Sequence, residues 1–183
     1  MVVMESEQKL KLGDRAPDFH LRGVDGRYYS LEDFRHARAL LVVFTCNHCP
    51  YAQAKIPVMK ELVEKYGGRG LVVVGINPND PTSYPEDSFE NMQMYALEGE
   101  YNFHYLQDET QEVARSYGAV CTPDPFLFDS DQKLVYHGRF DNALSPDAVP
   151  TVHDMDEAIA LVLAGKPVDK GFLPSRGCSI KWK

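Results

Sequence analysis

Two apolar runs, "ALLVVF" at Ala39–Phe44 and "LVVVGI" at 71–76, constrain the fold of this chain more than any other feature. Each is short, unbroken and rich in β-branched residues, the pattern of a strand covered on both faces. Between them Ala52, Ile56, Met59, Leu62, Val63 and Tyr66 recur at helical spacing until Gly67 and Gly68 stop the pattern. Strand, helix, strand at this separation predicts a right-handed, parallel βαβ unit.

The flanking segments extend the same sheet. After the Pro-rich loop "NPNDPTSYPED", Phe89, Met92, Tyr95 and Ala96 mark a second amphipathic helix, and "FHYLQD" a short strand. Asp108 with Gln111 resembles a capping box, which predicts a third helix over about 109–117, stopped by Gly118. "PFLFDS" and "KLVYHGRF" flank the turn residues Asp129, Ser130 and Asp131 and predict an antiparallel hairpin. Val152, Met155, Ile159 and Val162 mark a last helix ending near Gly165, and Asp25-Gly26 the turn of an N-terminal hairpin. The expected class is α/β: one central mixed sheet with helices on both faces and an extra N-terminal β-hairpin. With 183 residues and no internal repeat, a single domain is expected: a hairpin extension at 1–37, a core at 38–165 and a tail at 166–183.

A formal net charge of −8 argues against nucleic acid or an anionic membrane as partner, since both are bound by clustered Lys and Arg. No segment approaches the roughly 20 apolar residues of a membrane span, and "MVVMESEQKLKLGDRAPDF" lacks a signal peptide's apolar centre. A cytoplasmic protein is expected. Its four cysteines, Cys46, Cys49, Cys121 and Cys178, are too few and scattered for a secreted disulfide framework. In a reducing compartment a close pair points to catalysis or metal.

The close pair lies in "FTCNHCPYAQAK". Cys46 follows the first apolar run directly, and Cys49 stands where the helix begins, with Pro50 at a favoured first-turn position. Cysteines three apart at such a junction can face each other, and unpaired N–H groups of the first turn favour a thiolate on Cys46. Disulfide exchange needs a thiolate beside a second thiol: Cys46 attacks as an exposed nucleophile and Cys49 resolves the mixed intermediate. His48, when protonated or donating, stabilises the thiolate and makes the disulfide a better oxidant. The rival is zinc, with Cys121 and His48 or His137 completing four ligands. A structural zinc site usually draws on a second close cysteine pair, and the chain has none, so no metal is expected.

The order strand, CxxC, helix, strand, then "CTPDPFLFD" before a hairpin resembles the thioredoxin fold. "GDRAPDFHLRGVDGRYYSLEDF", "FTCNHCPYA" and "YHGRFDN" are similar to the entry segment, active-site turn and final strand of its peroxiredoxin-like branch, and the resemblance spans 12–165. It implies a thiol-disulfide oxidoreductase with catalytic Cys46 and Cys49. It places Thr45, Asn47 and His48 around them and Thr122 with a cis Pro123 opposite, edging a groove for an extended substrate. It implies no cofactor beyond a redox-active disulfide. The partners it implies are protein or small-molecule disulfides and a thiol reductant. Thioredoxin and protein disulfide isomerase differ by about 90 mV, roughly 4 kcal/mol, and the dipeptide between the cysteines is one source of such a gap.

Departures narrow this. Peroxiredoxins carry Thr-x-x-Cys with an upstream proline; here Cys46 takes the threonine's place and Val42 the proline's. The run before the CxxC holds no buried acid, and Pro57 lies farther past the second cysteine than thioredoxin's kinking proline, so the first helix is expected to be built differently. Arg139 is a candidate for stabilising a thiolate or an anionic substrate, against a surface ion pair with Asp141 or another acid. Cys121 and Cys178 are candidate additional redox thiols, against burial as small apolar side chains. The tail beyond Gly165 is long enough, at roughly 40 Å extended, to cross the domain, and Lys170, Arg176, Lys181 and Lys183 are placed to depress the Cys178 pKa. Two alternatives remain open: a thiol peroxidase, and a non-catalytic redox sensor or binding module.

Overall fold

A computed structural model describes residues 2–183. β1 (Val3–Glu5) precedes a hairpin of β2 (His20–Gly23) and β3 (Tyr28–Ser30), whose turn holds Gly26 at φ 83°. Then follow β4 (Ala39–Phe44), α1 (Pro50–Gln53), α2 (Ile56–Tyr66), β5 (Leu71–Asn77), α3 (Phe89–Glu98), β6 (His104–Gln107) and α4 (Glu112–Tyr117). β7 (Cys121–Thr122), β8 (Asp124–Phe128), β9 (Leu134–His137), α5 (Asp154–Leu163) and β10 (Arg176–Ser179) complete the chain.

Seven strands form one mixed sheet in the order β3-β2-β6-β5-β4-β8-β9. β4 lies inside it, parallel to β5 from Ala39↔Leu71 to Phe44↔Ile76 and antiparallel to β8 from Leu40↔Phe128 to Phe44↔Asp124. Alternation explains its unbroken hydrophobicity. Leu40, Val42 and Phe44 enter a core with Tyr117, Phe126 and Phe128, while Ala39, Leu41 and Val43 enter another with Met59, Leu62, Met155 and Ile159. Each fully buried aliphatic or aromatic side chain contributes about 1.5–3 kcal/mol. β4 is thus pinned from both faces, and its C-terminal end, where the CxxC begins, has one position.

The expected first helix is split. Pro57 has no N–H to give the Gln53 carbonyl, so α1 stops after one turn and α2 restarts from Lys55. The third helix begins at Glu112 rather than near 109, because Gln111 sits at φ 66°. The Asp108 carboxylate caps Ala114 N at 2.8 Å, while the Gln111 side chain turns inward to donate to the carbonyls of Pro78 and Lys181 at 2.7 Å each.

The tail forms a second sheet, order β1-β10-β7, all antiparallel. Cys178 pairs with Thr122 and Ser179 with Cys121. The tail therefore lies along the edge that leads into Pro123.

Candidate active site

Thr45 N extends the ladder to the Ile76 carbonyl at 2.8 Å, and the chain then leaves the sheet carrying Cys46. Cys49 is the extended N-cap of α1, with Pro50 in the first turn and Gln53 N bonded to its carbonyl at 2.9 Å. The Thr122–Pro123 bond is cis, as the resemblance implies. Thr122 meets both cysteines: its Oγ1 lies 3.0 Å from Cys46 Sγ, and its carbonyl is 3.5 Å from Cys49 Sγ.

None of the four cysteines is in a disulfide. The expectation of an exposed Cys46 is corrected: it is 1% exposed and Cys49 0%, because Cys178 of β10 packs with them and Ala52 in one cluster. The charge also sits on the other sulfur. The Cys46 thiol donates to Cys49, outweighing burial, and the thiol and amide of Cys178 and the amide of Ala52 add to it, drawing the Cys49 pKa down to about 5. Burial, then that same donation to Cys49, then the Asp87 charge push Cys46 well above the usual thiol value. Cys178 is pushed up to about 12 by burial and by its bond to Cys49, with Lys181 only a minor opposing charge, so the expected depression by tail lysines is not met.

His48 does not lie between the sulfurs. Its Nδ1 meets Asp87 Oδ2 at 2.5 Å, and its ring stacks on Tyr84 at 4.0 Å. Burial would raise Asp87, but the bonds from His48, Asn47 N at 2.7 Å and Asn79 Nδ2 at 2.9 Å outweigh it and hold the carboxyl below its usual range. Asn47 also accepts from the Tyr105 hydroxyl at 2.9 Å, which fixes the turn between the cysteines. Among the described residues, one atom each of Cys46, His48 and Asp87 lie within 4.8 Å of one another. Those donor types suit a transition metal, but both Asp87 oxygens are already engaged, Oδ1 by Asn47 and Asn77 and Oδ2 by His48 and Asn79. The zinc grouping with Cys121 and His137 is not assembled, since His137 is bonded to Asp124 at 2.8 Å.

Arg139 is engaged elsewhere. Its Nε donates to Asp154 at 2.8 Å, an ion pair with an acid other than Asp141, and none of its described contacts is with a cysteine. Thr45 is buried, with an Oγ1 that has no partner among the described residues. Cys121 is buried too; desolvation and then the Asp124 charge raise its pKa, and it bonds to Ser175 rather than joining the sulfur cluster. Sequence reasoning missed Asp87, Tyr84, Asn77, Asn79 and Tyr105. The loop "NPNDPTSYPED" is acidic, but nothing in it distinguishes Asp87 from Asp80 or Glu86.

The sequence pattern of the AhpC/TSA family matches residues 12–137. The chain is 27% identical over 129 residues to the thiol-disulfide oxidoreductase ResA of Bacillus thuringiensis, 70% of either protein. A conserved protein of Geobacillus kaustophilus has a solved structure that superposes with TM-score 0.92 at 43% identity, over 100% of this chain and 97% of that one. The thioredoxin domain of a thiol-disulfide oxidoreductase of Bacteroides vulgatus superposes with TM-score 0.62 at 18% identity, over 84% and 96%, and shares the thioredoxin fold.

Proposed function

Because this chain belongs to the AhpC/TSA family, we propose that its CxxC makes it a thiol-disulfide oxidoreductase working by dithiol/disulfide exchange through Cys46 and Cys49. One observation carries the reading: the two cysteines pack in one buried cluster, and the sulfur of each meets Thr122 beside the cis Pro123.

In the resting reduced pair the charge is on Cys49 and the proton on Cys46. Transfer along their hydrogen bond makes Cys46 the thiolate, with the Thr122 hydroxyl placed to stabilise it. Cys46 attacks one sulfur of a substrate disulfide; that S–S bond breaks, and the leaving thiolate takes the proton from Cys49. The Cys49 thiolate then attacks Cys46, the mixed disulfide breaks, and the second substrate thiolate leaves and is protonated by solvent. Two enzyme thiols are oxidised to a disulfide and one substrate disulfide is reduced to two thiols. A thiol reductant restores the pair, and no other cofactor is needed. Protein and small-molecule disulfides are the substrate classes, and the sparse cysteines favour the cytoplasm as the setting. Among the described residues no helix is long and apolar enough to cross a membrane.

Equilibration with glutathione buffers tests this. A single two-electron transition, with Cys46 and Cys49 both protected from alkylation in the oxidised form, is the expected result; independent behaviour of the two thiols is the contrary one. The low Cys49 pKa favours one second reading, a peroxidase in which that thiolate attacks a hydroperoxide. Peroxide consumption with a thiol donor, lost in Cys49→Ser while insulin disulfides are left unreduced, would select it.

A further inference from the structure

The strand β10 occupies the edge where an extended substrate would pair. Cys178 stands opposite Thr122 in an antiparallel register, and the Thr122 carbonyl lies 3.5 Å from Cys49 Sγ, so the strand carries Cys178 to the side of the second cysteine. The approach depends on Gly177, where an added Cβ would fall 1.9 Å from the Thr122 carbonyl oxygen and 3.0 Å from Pro123 N. Several bonds hold the strand there. Ser175 Oγ donates to the Pro123 carbonyl at 2.7 Å, Ile180 N to Val120 O at 2.9 Å and Lys181 N to Asn79 Oδ1 at 2.9 Å. Both the amide and the thiol of Cys178 are directed at the Cys49 sulfur, and Cys178 belongs to the same buried cluster as Cys46 and Cys49.

We propose that Cys178 is the third thiol of the redox cycle, taking over the Cys46–Cys49 disulfide by internal exchange to give a Cys49–Cys178 disulfide. The inference rests on the dithiol reading above. The Cys178 sulfur attacks Cys49 Sγ as its proton passes to Cys46, and the Cys46–Cys49 bond breaks with Cys46 leaving as the thiol. One S–S bond is exchanged for another, so no further oxidant or reductant is consumed. The result returns Cys46 as a thiol and ties the tail covalently across the edge of Thr122. In the reduced protein the same strand covers both sulfurs, so an external disulfide reaches Cys46 only when β10 lifts.

The test is disulfide mapping after treatment of the reduced protein with one equivalent of diamide, a two-electron thiol oxidant. Trypsin leaves Cys46 and Cys49 together on the fragment 39–55 and Cys178 on 177–181, so the exchange joins two fragments. The wild type is expected to yield both Cys46–Cys49 and Cys49–Cys178. Cys46→Ser should yield Cys49–Cys178 alone, and Cys49→Ser no link to the tail fragment. Gly177→Val keeps every thiol but displaces the strand; it should retain Cys46–Cys49 and lose the tail link by at least about tenfold, equivalent to roughly 1.4 kcal/mol of positioning. Cys46–Cys49 without a tail link in the wild type, or a tail link to Cys46, overturns the proposal. Absence of Cys46–Cys49 from the wild type and the Gly177 variant alike contradicts the dithiol reading instead.

Discussion

Cys46 Sγ lies 3.0 Å from Thr122 Oγ1, so the sulfur at the end of β4 is bonded to the residue that introduces the cis Pro123. The hydroxyl lowers the Cys46 pKa against the much larger effect of burial. Thr122→Val keeps the shape and removes the donor. A hydrogen bond to a charged group contributes about 1.5–3 kcal/mol, so disulfide reduction should slow by roughly tenfold or more. Steady-state kcat/KM on insulin would report it; an unchanged value would remove Thr122 from the mechanism.

The Cys49 thiolate gives a second prediction. Its absorbance at 240 nm in the reduced protein should titrate near pH 5, and Cys46→Ala, which deletes its principal donor, should raise the midpoint while Cys46→Ser raises it less. The linkage sign follows from a folded value lying below the ordinary 9.0. Cys49 stabilises the reduced fold fully above that ordinary value, and the contribution is lost as pH falls toward 5, at up to about 1.4 kcal/mol per pH unit. Cys46, Cys121 and Cys178 are shifted upward, so they oppose it only as pH rises past 9.0. Urea unfolding of reduced wild type against Cys49→Ser between these limits measures the difference.

Asp87 should matter to the fold as well as to the site. Its carboxylate is buried with His48, side chains 0% and 3% exposed, and accepts from His48, Asn47, Asn77 and Asn79, where each hydrogen bond to a charged group contributes about 1.5–3 kcal/mol. Asp87→Asn should therefore lower the urea midpoint at neutral pH. Because the folded pKa lies below the ordinary 3.8, the Asp87 contribution is present above that value and lost as pH falls through the depressed one. The variant's acid limb should accordingly be flatter than the wild type's.

Much of this was legible because β4 and β5 are buried on both faces, and continuous apolar runs signal that environment without any knowledge of neighbours. The CxxC and its strand-to-helix position were readable because both are local, whereas the Thr122-Pro123 loop was read only through the family resemblance. The break between α1 and α2 was only half legible, since Pro57 signals disruption but not where the helix restarts. Asp87 and the pairing of Cys178 with Thr122 were not legible. Both join segments remote in sequence, and the spacing of neither motif encodes the partner. The exposed Cys46 was the natural expectation for a CxxC, and the tail strand overturns it.

The tail hold supplies a further prediction. Gln111 donates to the Lys181 carbonyl and accepts from Lys183 N at 2.9 Å, and the Arg115 guanidinium lies 4.2 Å over the Trp182 ring. Gln111→Ala removes the first two bonds, so iodoacetamide should alkylate the CxxC faster by about tenfold, for a net loss near 1.4 kcal/mol. Trp182 is the chain's single tryptophan, and its emission should shift to the red in the same variant. Unchanged alkylation and emission would mean that these bonds do not hold the cover.

The central claim is that Cys46 and Cys49 act as a dithiol/disulfide pair, and insulin reduction with a chemical reductant tests it most directly. Wild type should accelerate precipitation of the insulin B chain, Cys46→Ser should fall to the uncatalysed rate, and Cys49→Ser should stall as a mixed disulfide. Full wild-type turnover by Cys46→Ser would contradict the account.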